Sequence, residues 1–106
     1  MNKNMSNYQV IGSDGKPIET DVTLHPGEII DWELEAREIL KKDFAKALNM
    51  QPAHLSDLIK GKRHVSARLA LKLDEQLGID ADFWLRVQSS YDLFMARKEL
   101  KELQAV

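Results

Sequence analysis

The sequence predicts an all-α domain built around two short helices joined by a tight turn, preceded by a short N-terminal β-hairpin. Three observations carry this. Apolar residues recur at helical spacing from residue 26 onward. Pro26, Pro52, Gly61 and Gly78 fall where helices start and stop. The 106 residues leave room for one core, and 43% apolar with 30% charged is a globular composition.

Ahead of the helices, Tyr8–Ile11 and the alternation of Ile18, Thr20, Val22 and Leu24 read as two strands around the turn signal Gly12-Ser13-Asp14-Gly15. A hairpin that short is marginal alone and needs the helical body or another protein against it. The first helix opens at Pro26 with Glu28 in its first turn and uses Ile29, Ile30, Trp32 and Leu34 as its apolar positions. Nothing punctuates residues 35–42. Lys41–Leu48 places Phe44, Ala45 and Leu48 together, Asn49-Met50-Gln51 forms the break, and Asn49 suits a left-handed turn position. Pro52 then opens a helix with Leu55, Leu58 and Ile59 on one face, closed by Gly61. Two short helices across so short a break make a helix-turn-helix. Ser66 caps a fourth helix with the row Leu69, Leu73 and Leu77, and Gly78 ends it. Asp80 caps the last, where Trp84, Val87, Tyr91 and Phe94 share a face. The organisation is therefore an extension (1–24), a helical domain (25–97) and a solvated tail (98–106).

The net charge of −2 conceals an uneven distribution. Residues 1–39 carry −5 and residues 73–106 carry −3, whereas residues 40–72 carry +6. A basic segment between acidic flanks suits one face that meets a polyanion, although solvated helix charges give the same pattern. There are no cysteines, so thiol chemistry is excluded. With no apolar signal segment and no membrane-length run, a cytoplasmic location without membrane contact is expected.

Catalysis finds no support. His25, His54 and His64 lack metal-ligand spacing, and His54, Ser56 and Asp57 diverge around one helix axis. No cofactor, metal or enzymatic activity is expected. DNA binding fits better, because the second helix of such a motif lies in the major groove. With Leu55, Leu58 and Ile59 turned inward, Gln51, Ala53, His54, Asp57 and Lys60 face outward. Gln51 and His54 suit base edges, Ala53 a thymine methyl, and Lys60 guanine or phosphate. Lys62 and Arg63 beyond the helix, and Lys41 and Lys42 at the start of the preceding one, suit phosphates. Asp57 must pair with a cation, accept from cytosine or weaken binding. His54 also fits a plain surface residue. Trp84, Val87, Tyr91 and Phe94 are core or dimer interface.

His25-Pro26-Gly27-Glu28-Ile29-Ile30, Leu58-Ile59-Lys60-Gly61-Lys62-Arg63 with Val65-Ser66, and Asp82-Phe83-Trp84-Leu85-Arg86-Val87-Gln88 with Tyr91-Asp92-Leu93 occur in that order. Together they resemble the HigA-type antitoxins of the Xre/lambda-repressor-like superfamily. The resemblance implies a five-helix lambda-repressor-like bundle that forms a homodimer and binds a palindromic double-stranded operator. It also implies a partner, an mRNA-cleaving toxin of the HigB/RelE type, held inactive. The chain departs from that pattern at Leu40 and Lys41, where Ser-Gln is usual, and at Asn49-Met50-Gln51, Pro52 and Ala53. Base readout then rests on Gln51, His54 and DNA shape.

Residues 1–24 are expected to meet the toxin. They are acidic beyond their first residues, and the strand edges carrying Tyr8, Val10, Ile18 and Asp21 can add to a partner's sheet. Two alternatives are a hairpin folded back over Trp32 or Trp84, and the acidic helix 26–37 as the toxin surface. A free-standing regulator and an interaction protein without DNA affinity are the competing functions.

Overall fold

The computed structural model describes residues 23–104. Five helices follow one another: α1 (Pro26–Ala36), α2 (Lys41–Ala47), α3 (Pro52–Ile59), α4 (Ala67–Leu77) and α5 (Ala81–Gln104). Among the described residues there is no strand, so this part of the chain is all-α. The hairpin expected in the extension lies outside them.

The helix ends follow a shared rule. Arg37, Leu48 and Lys60 close α1, α2 and α3, and the next residue in each case is left-handed: Glu38 (φ 56°), Asn49 (φ 57°) and Gly61 (φ 80°). The residue after that donates its N–H five positions back, Ile39 to Leu34, Met50 to Ala45 and Lys62 to Asp57. These bonds satisfy carbonyls that a helix end leaves orphaned. Asn49 and Gly61 announce such ends. Glu38 does not, which is why residues 35–42 gave no boundary. Gly78 closes α4 at φ 71° and Ser66 Oγ accepts the Leu69 N–H at its start, both as the sequence implies.

The core is one cluster in which Ile30, Leu34, Phe44, Leu55, Leu58, Leu73 and Trp84 interlock, with α1 and α2 packed on α3, and α5 on α4 and α1. Four expectations need correction. Trp32 is 52% exposed, because Ile30 and Leu34 already fill the buried stripe of α1. Ala70, not Leu69, is the fully buried residue at the start of the α4 row, and Leu69 packs half-buried against the core. The side chain that accepts the first N–H of α5 belongs to Asp74, at 3.1 Å from Ala81 N, while Asp80 contributes its backbone carbonyl. Finally, helix α5 does not stop at Arg97 but runs to Gln104, exposed throughout that last stretch. Its amphipathic pattern ends before its hydrogen bonding does.

Helix α1 begins with a tightly built cap. The Gly27 N–H donates to His25 Nδ1 (2.9 Å), and the His25 N–H donates to Glu28 Oε2 (3.0 Å), a reciprocal capping box with Pro26 at the first helical position. A Cβ at Gly27 would overlap the Leu58 carbonyl oxygen and sit 2.8 Å from the carbonyl carbon and 2.9 Å from Ile59 Cα. Backbone meets backbone here. At Gly78, by contrast, a Cβ would enter open space and meet only the cost of a left-handed φ. Gly27→Ala should therefore destabilise by about 3 kcal/mol and Gly78→Ala by about 1 kcal/mol, measured by urea unfolding. Equal losses would show that the α1–α3 contact is softer than its geometry indicates.

Candidate nucleic-acid interface

Helices α2 and α3 form the helix-turn-helix, and apolar anchoring decides which side of α3 is outward. Leu55 and Leu58 are buried, so Gln51, Pro52, Ala53, His54 and Lys60 are exposed, with Ser56 and Asp57 half-buried. Pro52 fixes the entry into the helix, and the Asn49 turn sets its angle to α2. His54 lines two shallow grooves, and Gln51 lines one of them. One, of about 500 Å³, runs along the turn past Lys42, Lys46, Asn49 and Pro52. The other, about 430 Å³, lies between α3 and α4 and is walled by Lys62, Arg63, His64 and Arg68. His54 thus lies between two sets of cations.

In the free chain Asp57 pairs with a cation. Its Oδ2 lies 3.8 Å from Arg63 Nε, an ion pair between two half-exposed side chains that contributes little and can be exchanged for a phosphate. Lys41 is exposed and lies 3.7 Å from Asp31 on α1, whereas Lys42 points to solvent beside the turn groove. Lys60 is exposed at the end of α3. Lys46 and Arg68 complete the basic face and were not singled out from the sequence, although their spacing within residues 40–72 carries the signal. Lys72 lines both grooves but spends its ammonium on the Leu48 carbonyl (3.1 Å), capping α2.

Two residues hold this face from behind. Gln88, buried on α5, accepts the Val65 N–H with Oε1 (2.7 Å) and donates from Nε2 to Asp92 Oδ1 (2.9 Å) and to His64 Nδ1 (3.0 Å). The loop that follows the recognition helix is thereby fastened to α5. His25, 3% exposed, lies under the same loop, with its ring edge-on to Tyr91 at 4.7 Å and close beneath Gly61. Neither role is visible in periodicity, since Gln88 bonds and His25 packs against residues far away in sequence.

The residues expected at a dimer interface divide. Trp84 has no exposed surface: it fills the core and donates its indole N–H to the Ile79 carbonyl, so it has nothing to offer a partner. Val87, Tyr91 and Phe94 are half-buried on α5. Tyr8, Val10, Ile18 and Asp21 lie outside the described residues. No group of three potential metal ligands occurs among the described residues, and no described helix is long and apolar enough to cross a membrane.

This arrangement, a helix-turn-helix with a basic rim, has clear counterparts. Residues 30–84 match the helix-turn-helix family. Virulence-associated protein I of Dichelobacter nodosus is 33% identical over 84 residues, covering 78% of both chains. The addiction module antidote protein of a HigA family from Coxiella burnetii is 32% identical with a TM-score of 0.68, over 77% of this chain and 91% of that one. The Pseudomonas aeruginosa antitoxin HigA, solved with the higBA promoter, is 30% identical with a TM-score of 0.72, over 77% and 90%. The chain belongs to the helix-turn-helix family, within its HigA-type antitoxin branch.

His25 makes stability pH-dependent. Burial first, and then the nearby His64, push its pKa below the ordinary imidazole value, while Glu28, Asp92 and the Arg63 backbone pull the other way. Nδ1 is already accepting the Gly27 N–H, and Nε2 is buried without a hydrogen-bond partner, so a second ring proton would break the cap. The unfolded chain therefore binds more protons between the two pKa values, and stability falls as pH drops below about 6.5. Urea unfolding at pH 7.5 and 5.5 should show this loss in the wild type. In His25→Asn, which keeps a capping acceptor but cannot titrate, the loss should be smaller; an equal loss would assign it to other groups.

Proposed function

We propose that the protein is the antitoxin of a toxin–antitoxin module: as a dimer it binds a palindromic operator of its own operon, and it neutralises an mRNA-cleaving toxin of the HigB/RelE type. The observation that carries the DNA half is the outward face of α3. Gln51, Ala53 and His54 are exposed there; His54 lines both the groove that holds Lys42 and Lys46 and the groove walled by Lys62, Arg63 and Arg68, and Gln51 lines the first, which suits base contacts flanked by phosphate contacts. A relative of the same branch was solved with promoter DNA, which supports the reading. The dimer would draw on Val87, Tyr91 and Phe94 of α5, because one motif spans only half a two-fold site. Arg63 exchanges Asp57 for a phosphate as it docks.

Lys62→Ala should weaken operator and random duplex alike and lower the salt slope by about 0.9 per subunit. Gln51→Ala or His54→Ala should instead change sequence preference by about 1–3 kcal/mol. These are read by fluorescence anisotropy across a salt series and by selection from a randomised site. An unaltered preferred sequence in both variants would move specificity from base contacts to DNA shape.

For the toxin half, residues 1–24 are the proposed contact, with Tyr8, Val10, Ile18 and Asp21 on it. Their acidity beyond the first residues and their strand-like alternation support this. The exposed Trp32, beside Asp31 and Glu35 on α1, favours a second reading in which the acidic face of α1 takes the toxin. Deleting residues 1–22 decides between them. The first reading expects toxin neutralisation to fail in a growth assay while operator binding survives. Undiminished neutralisation would place the contact on the helical body.

A further inference from the structure

The loop between α3 and α4 carries a side chain that the charge pattern alone leaves out. His64 is 75% exposed and shares the wall of the α3–α4 groove with Lys62, Arg63 and Arg68. Unlike those three, it is fixed from behind. The Gln88 carboxamide is oriented by the Val65 N–H, which needs its oxygen, so the nitrogen is the atom that faces His64. An amide NH2 only donates. In the neutral ring His64 Nδ1 accepts this bond at 3.0 Å and the proton resides on Nε2, although Asp92 Oδ1 also stands 3.6 Å from Nδ1 and would be its partner in a protonated ring. The second proton of Gln88 Nε2 goes to Asp92 Oδ1, which holds the amide in place.

We propose that His64 is a neutral hydrogen-bond donor to a phosphate of the bound duplex, presenting Nε2–H because Gln88 occupies Nδ1. The inference rests on the DNA-binding reading and adds to it a contact of a different kind. Lys62 and Arg63 act through charge and release counterions when they meet a phosphate. A neutral imidazole N–H neutralises no phosphate charge, so it releases no counterion condensed on the duplex. It contributes affinity without contributing to the salt dependence. Gln88 is the positioning residue in this scheme, since it meets the loop and the ring but not the nucleic acid.

That difference makes the proposal testable with the full chain and a duplex carrying the operator, alongside a random duplex of equal length. At pH 8, above the ordinary imidazole range, His64→Ala should lose about five- to ten-fold in affinity for both duplexes, with the slope of log K against log salt unchanged. Lys62→Ala should instead lower that slope by about 0.9. His64→Gln, whose amide nitrogen can stand near the position of Nε2, should recover most of the loss. In the free wild-type protein, nitrogen-15 correlation spectra should show the His64 proton on Nε2, and the Nε2 signal should shift when duplex is added.

Unchanged affinity in His64→Ala, beside a weakened Lys62→Ala, would overturn this proposal and leave the DNA reading standing. A slope lowered in His64→Ala would overturn it too, by showing a charged contact. A proton found on Nδ1 would remove its structural basis. A wild type that binds neither duplex at low salt would overturn the DNA reading itself, an outcome distinct from the other three.

Discussion

The approach of Gly27 to the Leu58 carbonyl sets the position of the recognition helix. Because no side chain separates the two backbones, the first turn of α1 lies directly on the last turn of α3. His25, immediately before it, then caps α1 and at the same time sits beneath Gly61, where the chain leaves α3. Tyr91 closes the third side with its ring edge-on to the histidine. The four residues His25–Glu28 thus do two jobs with one geometry. They begin a helix, and they form the seat on which another ends. The exposed cations Lys62 and Arg63 follow that end by one and two residues, so their placement derives from this seat. Gln88 fastens the same loop at Val65, so it is held at both ends.

Features dictated by one local rule could be read from the sequence, and features that depend on a remote partner could not. The order of the helices, the turn at Asn49, the cap at Ser66 and the stop at Gly78 all follow from rules acting within a few residues. Glu38 adopts the same left-handed turn as Asn49 and Gly61, but glutamate carries no local preference for it. There the burial of Leu34 in the core, together with the helix-end bond from Ile39 back to Leu34, holds the conformation. Trp32 shows the converse error: an aromatic beside an apolar stripe is read as core, yet the stripe is narrow enough to be filled without it. Asp74 rather than Asp80 receives the first N–H of α5 because the α4–α5 turn folds the two helices side by side, which no spacing rule conveys. At the interface, the outward residues of α3 were legible because they are what the core leaves over. Gln88 was not, because a buried polar residue with three bonds looks in sequence like any solvated glutamine.

Charge counting also overstates the basic face in a way that only geometry corrects. Of the eight cations in residues 40–72, Lys72 caps the end of α2, Lys41 faces Asp31 and Arg63 faces Asp57. Arg37, outside that segment, likewise spends its guanidinium on the Leu77 carbonyl and Glu33. A cation at a helix C-terminus satisfies carbonyl groups and complements the dipole, a structural use that competes with binding. Lys42, Lys46, Lys60, Lys62 and Arg68 make no such contact among the described residues, with three of the five grouped around the end of α3 and the start of α4, where Arg63 is also half-exposed. The electrostatic face is therefore smaller and more lopsided than the sequence total. Its weight falls on the loop that Gln88 holds.

Helix α5 joins the two halves of the molecule's surface. Its first turns are sunk in the core through Trp84 and bonded through Gln88 to the loop beside the recognition helix. Its later turns expose Leu93, Met95, Leu100 and Leu103, more apolar surface than a solvated helix needs. Asp92 lies at the junction, one residue before Leu93, and its carboxylate holds the amide that holds the loop. Any partner that shifts this helix along its axis, or rotates it, has to move Asp92, and with it Gln88 and the loop. Gln88 is the link, because two of its three hydrogen bonds reach Val65 and His64 on the loop while the third, to Asp92, stays within α5.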